Sequence, residues 1–305
     1  MNIDLLTQTF HPRVFSGKVF GVTGGAHGIG EAIVRGLCAL GGSVVIIDLD
    51  GRNLRRVCES IGDSVAGVHG DVTELSVIDQ ALKVAQDRWG RLDGWVNNAM
   101  INPLDDPDGQ SEGKFIKSFE VNLLAAWRII HRIAPIIERH GQGGSIVNIS
   151  TIMADMTAEG YSAYTTTKSG LEGLTRAKAV DLAPKRIRVN SVSPGMIKSM
   201  SGMNHLAGMD REKWPEREQY IAAITDEEAL NYQPWIDPGL PVHLAGGVLF
   251  LLSPVSAFIT GADLAIDGGG SVQFLPLDQP RRLAAGLKVA ELRKKIQGLS
   301  PGASS

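Results

Sequence analysis

The chain has 305 residues, a formal net charge of −3 at pH 7 and a pI near 6.2. That balance gives no electrostatic basis for nucleic acid or an anionic membrane as the main partner. With 43% hydrophobic residues and 36 glycines, the composition suits an α/β protein with a sizeable core and many tight strand-to-helix turns.

Residues 1–16 read as a loosely held N-terminal arm. Val19–Val22 is a short apolar run closed by Thr23-Gly24-Gly25-Ala26-His27-Gly28-Ile29-Gly30, and Ala32, Ile33, Leu37 and Leu40 then keep helical spacing. A buried strand from Ser43 to Ile47 ends at Asp48-Leu49-Asp50. A helix over about 51–61, a strand from Val65 to His69 and Gly70-Asp71-Val72-Thr73 follow. A helix over about 74–89 leads to the apolar run Leu92–Val96 and then Asn97-Asn98-Ala99-Met100.

The alternation continues with a long helix over about 114–139, the strand Ser145–Ile149, a helix over about 162–183 and the strand Arg188–Ser191. A helix at 241–252 and the strand Asp263–Ile266 complete it. Short apolar strands separated by amphipathic helices predict a doubly wound parallel sheet of Rossmann type, covered on both faces, in a single domain. The expected division is an arm at 1–16, a dinucleotide-binding catalytic domain at 17–274 and a C-terminal extension at 275–305.

Cys38 and Cys58 form no C-x-x-C pair and read as reduced, core-filling thiols. No stretch approaches the ~20 apolar residues of a membrane helix. Met1-Asn2-Ile3-Asp4-Leu5-Leu6 lacks the basic start and apolar centre of a signal peptide. A cytoplasmic protein is expected.

The glycine-rich turn runs from an apolar strand into a helix. Glycine there permits positive φ and lets the backbone approach a pyrophosphate at the helix N-terminus. Its spacing, Gly24-x3-Gly28-x-Gly30, differs from the commonest dinucleotide fingerprint, G-x-G-x-x-G. Asp48 ends the second strand about 20 residues on, where a carboxylate can bond a ribose 2′-hydroxyl and would repel a 2′-phosphate. NAD is therefore expected over NADP, with Arg52 and His27 as the nearby cations that weigh the other way. Tyr164 and Lys168 stand four residues apart and share a helix face. A neighbouring ammonium favours the phenolate and is expected to draw the tyrosine pKa down from about 10.

Thr23-Gly24-x-x-x-Gly28-Ile29-Gly30, Asp71-Val72, Asn97-Asn98-Ala99, Asn122, Tyr164-x-x-x-Lys168 and Pro194-Gly195 occur in the order and spacing of the short-chain dehydrogenase/reductase family. The resemblance covers about residues 16–270, including the closing Gly261-Ala262 and Asp267-Gly268-Gly269. It implies an NAD(P)-dependent enzyme interconverting an alcohol and a ketone. Tyr164 resembles the catalytic acid/base, Lys168 its partner on the nicotinamide ribose, and Asn122 the residue that orders water toward that lysine. The family's serine position, thirteen residues before the tyrosine, holds Thr151, with Ser150 as the lesser candidate.

Cofactor contacts implied by the resemblance fall on Gly24, His27, Gly28, Ile29, Gly30, Asp48, Asp71, Val72, Asn98, Ala99, Tyr164, Lys168, Pro194, Gly195, Ile197 and Ser199. Met100 stands where the family has glycine and would add bulk beside the cofactor or substrate entry. Tyr161 is a pocket-wall candidate, lacking a cation four residues on. The family commonly forms tetramers or dimers through helices matching about 114–139 and 162–183. A cofactor-sensing protein without catalysis and a sugar-nucleotide epimerase or dehydratase on the related fold are the alternatives. Retention of the reactive residues argues against the first. Glycine spacing and the lack of a larger C-terminal substrate domain argue against the second.

The segment 199–240, too long for a simple connection, reads as a substrate lid. It holds Trp214, Trp235, Tyr220, Tyr232, Met200, Met203 and Met209, some of them facing an apolar or ring-shaped substrate. In the extension, Val289, Leu292, Ile296 and Leu299 follow helical spacing that suits docking on a neighbouring subunit, or a solvated or self-docked tail. His131, His140 and His243 show no metal-ligand spacing, and no metal is expected.

Overall fold

The computed structural model describes residues 4–102, 112–198, 233–235, 237–273, 287–288, 290–292 and 294–295. All five residues of β1 (Val19–Thr23) are buried, as are the last five of β2 (Ser43–Asp48) and all of β4 (Gly94–Asn97). Strands buried on both faces belong inside a parallel sheet with helices above and below. With β3 (Val65–His69), β5 (Gly144–Ile149), β6 (Ile187–Pro194) and β7 (Asp263–Ile266) they form one seven-stranded parallel sheet of Rossmann type, in the order β3-β2-β1-β4-β5-β6-β7. Strand order reverses beside β1, which pairs with β2 on one side and β4 on the other. In such sheets ligands bind outside the carboxyl ends at that reversal. Thr23, Asn97 and Ile149 end the three strands that face it.

Helices among the described residues include α1 (Asp4–Thr9), α2 (Gly28–Ala39), α3 (Gly51–Ile61), α4 (Leu75–Trp89), α5 (Glu112–Phe119), α6 (Ala125–Glu138), α7 (Ser162–Leu182) and α8 (Pro241–Leu252). The long helix expected over 114–139 is interrupted. A π-helical turn, Glu120–Leu124, separates α5 from α6. Hydrophobic spacing does not register one extra residue in a turn, so the pattern reads as continuous.

Two compact units partition the chain. The first comprises residues 1–193 and 242–265, the second 194–241 and 266–305. In the first, Trp95 is fully buried and crosses Gly21 of β1 so closely that a Cβ there would lie 2.0 Å from the indole. The arm expected to be loosely held is anchored: Leu6 of α1 is 2% exposed and Phe15 1% exposed. Phe15 meets the Phe20 ring edge-on at 5.1 Å. In the second unit, Ile197 bridges Gly239 in parallel. A Cβ on Gly195 would sit 2.7 Å from the Asp267 Cα. Both Asp267 carboxylate oxygens accept backbone N–H groups, from Gly269 at 2.9 Å and Ser271 at 2.6 Å.

Among the described residues no helix is long and apolar enough to cross a membrane. Overpacking a tight core costs about 1–3 kcal/mol. Gly21→Ala is therefore expected to lower unfolding free energy by that amount in urea titration, and an unchanged midpoint would show that Trp95 can move aside.

Candidate active site

α7 carries Tyr164 and Lys168 on one buried stripe, 7% and 1% exposed. The Lys168 Nζ donates to the Ile149 carbonyl at the end of β5 at 2.6 Å and lies 5.9 Å from the Tyr164 ring centroid. Thr151, two residues past that carbonyl, is hydrogen-bonded to Tyr164. Its Oγ1 also accepts the Met153 N–H at 3.3 Å, capping a short 3₁₀ turn. Ser150 is turned elsewhere, its Oγ donating to Glu172 Oε1 at 2.8 Å. Tyr161 meets Tyr164 edge-on with centroids 6.3 Å apart.

The electrostatics differ from the expectation of a phenol drawn down by its lysine. Burial pushes the Tyr164 hydroxyl up to about 12, the Thr151 hydrogen bond opposes that rise and a charge on Tyr161 adds to it. Burial also pulls Lys168 down to about 8. One dry pocket penalises both charged forms.

Asn122 sits in the π-helical turn and is 2% exposed. Its Oδ1 accepts the Ile101 N–H at 2.9 Å, and its Nδ2 donates to the Ile101 carbonyl at 2.9 Å and to Thr167 Oγ1 at 3.2 Å. The side chain thus pins the segment that follows β4. Thr23, Asn97, Asn122 and Lys168 help line a cavity of about 10 Å³, close to the volume one water needs. Asn97 Nδ2 donates to Asn148 Oδ1 at 2.8 Å, while its own Oδ1 is a buried acceptor with no partner.

The glycine turn is held rigidly. Thr23 Oγ1 accepts the N–H groups of Asn98 and Ala99, both at 3.0 Å, and Asn98 Nδ2 donates to the carbonyls of Thr23 and Gly24 at 3.0 and 2.9 Å. A Cβ on Gly30 would fall 1.9 Å from the Gly24 carbonyl oxygen, and Gly28 opens α2 at φ 56°. His27, the N-cap, makes no side-chain capping bond, so no side chain at that position competes with an anion for the first-turn N–H groups, which suits a pyrophosphate. Asp48, 6% exposed, accepts Ala26 N–H on Oδ2 and Asp50 N–H on Oδ1, each at 2.9 Å. Asp71 accepts Thr73 N–H and hydroxyl at 2.8 Å and pairs with Lys117 at 3.2 Å. Burial raises its pKa most, but Thr73 and Lys117 together hold it below the ordinary carboxylate value.

These residues fit a dinucleotide. Gly24, Gly28, Ile29 and Gly30 would hold the pyrophosphate, Asp48 the adenosine ribose, and Asp71 and Val72 the adenine side. Pro194 ends β6, and Gly195 and Ile197 lie in the second unit. Ser199 and most of the expected lid, including Trp214, Tyr220, Tyr232 and the three methionines, fall outside the described residues. So do Val289, Ile296 and Leu299. Trp235 is 66% exposed and Met100 39% exposed. Among the described residues no three His, Cys, Asp or Glu side chains gather to hold a metal ion.

Sequence reading missed the π-helical turn, the Asn97–Asn148–Thr175 hydrogen-bond ladder and the Glu31–Arg56 ion pair. The ladder and the ion pair join residues far apart in the chain, and hydrophobic spacing averages over the π-helical turn.

A family model described as Enoyl-(Acyl carrier protein) reductase matches residues 24–271. L-rhamnose 1-dehydrogenase (NAD(P)(+)) of Sphingomonas sp. (strain SKA58) is 34% identical over 84% of this chain and 97% of its own length. The (+)-borneol dehydrogenase 2 of Salvia officinalis is 31% identical over 85% of this chain and 90% of its own. Dehydrogenase/reductase SDR family member 4 of Caenorhabditis elegans is 33% identical over 84% and 96% respectively.

The buried lysine generates a stability test. Its folded pKa, about 8, lies below the ordinary 10.5. Its protonation therefore penalises the fold below pH 8, and the penalty fades as pH rises to 10.5. At 1.36 kcal/mol per pKa unit, wild type should gain up to about 3 kcal/mol relative to Lys168→Met across that window. Parallel pH profiles of the two unfolding free energies would contradict the burial of a charged lysine.

Proposed function

The chain belongs to the short-chain dehydrogenase/reductase family, and we propose that it interconverts a secondary alcohol and a ketone with NAD, using Tyr164 as the acid/base. The observation that carries this reading is the convergence of Thr151, Tyr164 and Lys168 where β5 ends against α7. When bound, a dinucleotide would supply the hydride acceptor or donor and, in its oxidised form, a positive charge.

The chain's own residues handle the proton. Before substrate binds, the Thr151 hydroxyl favours the phenolate of Tyr164; when substrate binds, the same proton turns to the substrate oxygen and holds it. In oxidation Tyr164 takes the alcohol proton, and in reduction it returns one to the carbonyl oxygen. Lys168, oriented by the Ile149 carbonyl, stabilises the phenolate and would hold the nicotinamide ribose. Asn122 keeps the polar cavity beside Lys168 in place for a proton to travel. NAD is favoured by Asp48, whose carboxylate disfavours a 2′-phosphate. The relatives named for L-rhamnose and (+)-borneol carry their hydroxyl on a ring, and the substrate proposed here is a ring alcohol of that size.

Assembly as a homotetramer or homodimer in the cytoplasm belongs to the same proposal. Phe115, Phe119 and Trp127 support it as half-exposed apolar side chains on α5 and α6. Residues 17–274 would form the catalytic domain with a lid at 199–240, and 275–305 an extension.

Tyr164→Phe is expected to lower kcat by about 10²–10⁴-fold while calorimetry still reports NADH binding. Full turnover by this variant on a panel of cyclic alcohols would sink the mechanism. Thr151→Val removes a bond that lowers the tyrosine pKa. The rising limb of alcohol oxidation should then move to higher pH, with Thr151→Ser restoring it. A limb that stays put in Thr151→Val would assign Thr151 to packing alone.

A further inference from the structure

The corner where β2 meets α2 and α3 holds an ion-pair cluster that the proton transfer does not use. Glu31, in the first turn of α2, is 8% exposed. Arg56 of α3 grips both carboxylate oxygens, Nη1 to Oε1 at 3.0 Å and Nη2 to Oε2 at 2.8 Å. Arg35, one helical turn from Glu31, donates Nε to Oε1 at 2.9 Å. Burial is the largest influence on Glu31 and raises its pKa, but the hydrogen bonds and charges of the two arginines outweigh it and hold the carboxyl below its ordinary value.

The cluster reaches the cofactor corner through one residue. Arg56 Nη2 donates to the Ala26 carbonyl at 3.1 Å, and Asp48 Oδ2 accepts the Ala26 N–H at 2.9 Å. Ala26 is thus held from both sides, by the aspartate that reads the ribose and by an arginine. The Arg56 side chain is half exposed, and Asn53 accepts its Nε at 3.1 Å. A guanidinium beside a ribose is well suited to a 2′-phosphate, because its planar donors match phosphate oxygens. Here the bidentate carboxylate already occupies and neutralises it.

We propose that Glu31 sets dinucleotide selectivity through Arg56. With the ion pair intact, a 2′-phosphate meets Asp48 and a cation already spoken for, whereas a 2′-hydroxyl meets an acceptor. Glu31 touches no cofactor atom itself and acts as a positioning residue. The inference rests on the reading that Asp48 faces the adenosine ribose.

The test is calorimetry on the full chain with 5′-AMP and adenosine 2′,5′-bisphosphate, which differ only in the 2′-phosphate, and NAD⁺ as a control. Glu31→Gln should shift the ratio of the two dissociation constants at least tenfold toward the bisphosphate. Adding Arg56→Met should abolish that shift, whereas Arg56→Met in the wild-type background should move the ratio less than threefold. A staple that merely joins α2 to α3 would weaken both ligands equally in Glu31→Gln, and that result overturns the proposal. A shift that survives Arg56→Met overturns it too. Where circular dichroism shows Glu31→Gln unfolded, Glu31→Ser is read by the same ratio. Wild type that binds 5′-AMP but not NAD⁺ contradicts the dinucleotide reading above, whereas normal NAD⁺ binding with an unmoved ratio contradicts this inference alone.

Discussion

A fully buried ammonium is costly, and much of the site is arranged around the one that Lys168 carries. Its charge sits at the carboxyl end of β5, where the Ile149 carbonyl accepts a short hydrogen bond. The long helix α7 packs across that strand end and delivers the lysine there, which ties the helix to the sheet. The same placement puts Tyr164, one turn earlier, beside Thr151. The small cavity next to the lysine is lined mostly by apolar side chains, among them Val72, Val121, Ile129 and Leu171, with Thr23, Asn97 and Asn122 as its polar members.

The cofactor side rests on a different device, backbone held by side chains. Thr23 accepts two consecutive N–H groups from the end of β4, and Asn98 returns two bonds to the glycine turn. The turn therefore cannot move without the strand beside it. Ala26 extends this logic outward, its N–H committed to Asp48 and its carbonyl to Arg56. Rigid backbone is what a phosphate-binding turn requires, since its donors must point at the ligand before the ligand arrives.

Periodicity and linear motifs made the parallel α/β sheet, the glycine turn and the tyrosine–lysine pair legible, because each is written in spacing along the chain, whereas the strand order was not. Periodicity also placed the helix at 241–252 and the strand at 263–266. It failed at Glu120–Leu124, where one π-helical turn rotates Asn122 toward Ile101 and Thr167. A hydrophobic pattern averages over such a turn. The anchored arm was hidden for a related reason: Leu6 and Phe15 are too few to form a periodic face, yet each finds a deep pocket. Spacing to Tyr164 ranked Thr151 above Ser150, and in the structure Ser150 turns to Glu172, since successive residues leaving a strand point to opposite sides. The pKa expectation failed on environment, because the sequence supplies a cation four residues away but not the dryness that penalises both groups.

Threonine at 151 is best understood from its two simultaneous bonds. Its Oγ1 accepts the Met153 N–H, so the hydroxyl proton is left to point toward Tyr164 rather than toward the backbone. Serine could make the same pair of bonds but could also rotate out of them. A β-branched side chain has fewer rotamers to lose, so the methyl group helps fix the direction in which the hydroxyl proton points. Burial works against the phenolate here, and a donor already aimed at the phenol oxygen is one of the few groups in the chain that works for it. The methyl that looks like a departure at this position thus limits the rotamers of the hydroxyl that favours the Tyr164 phenolate.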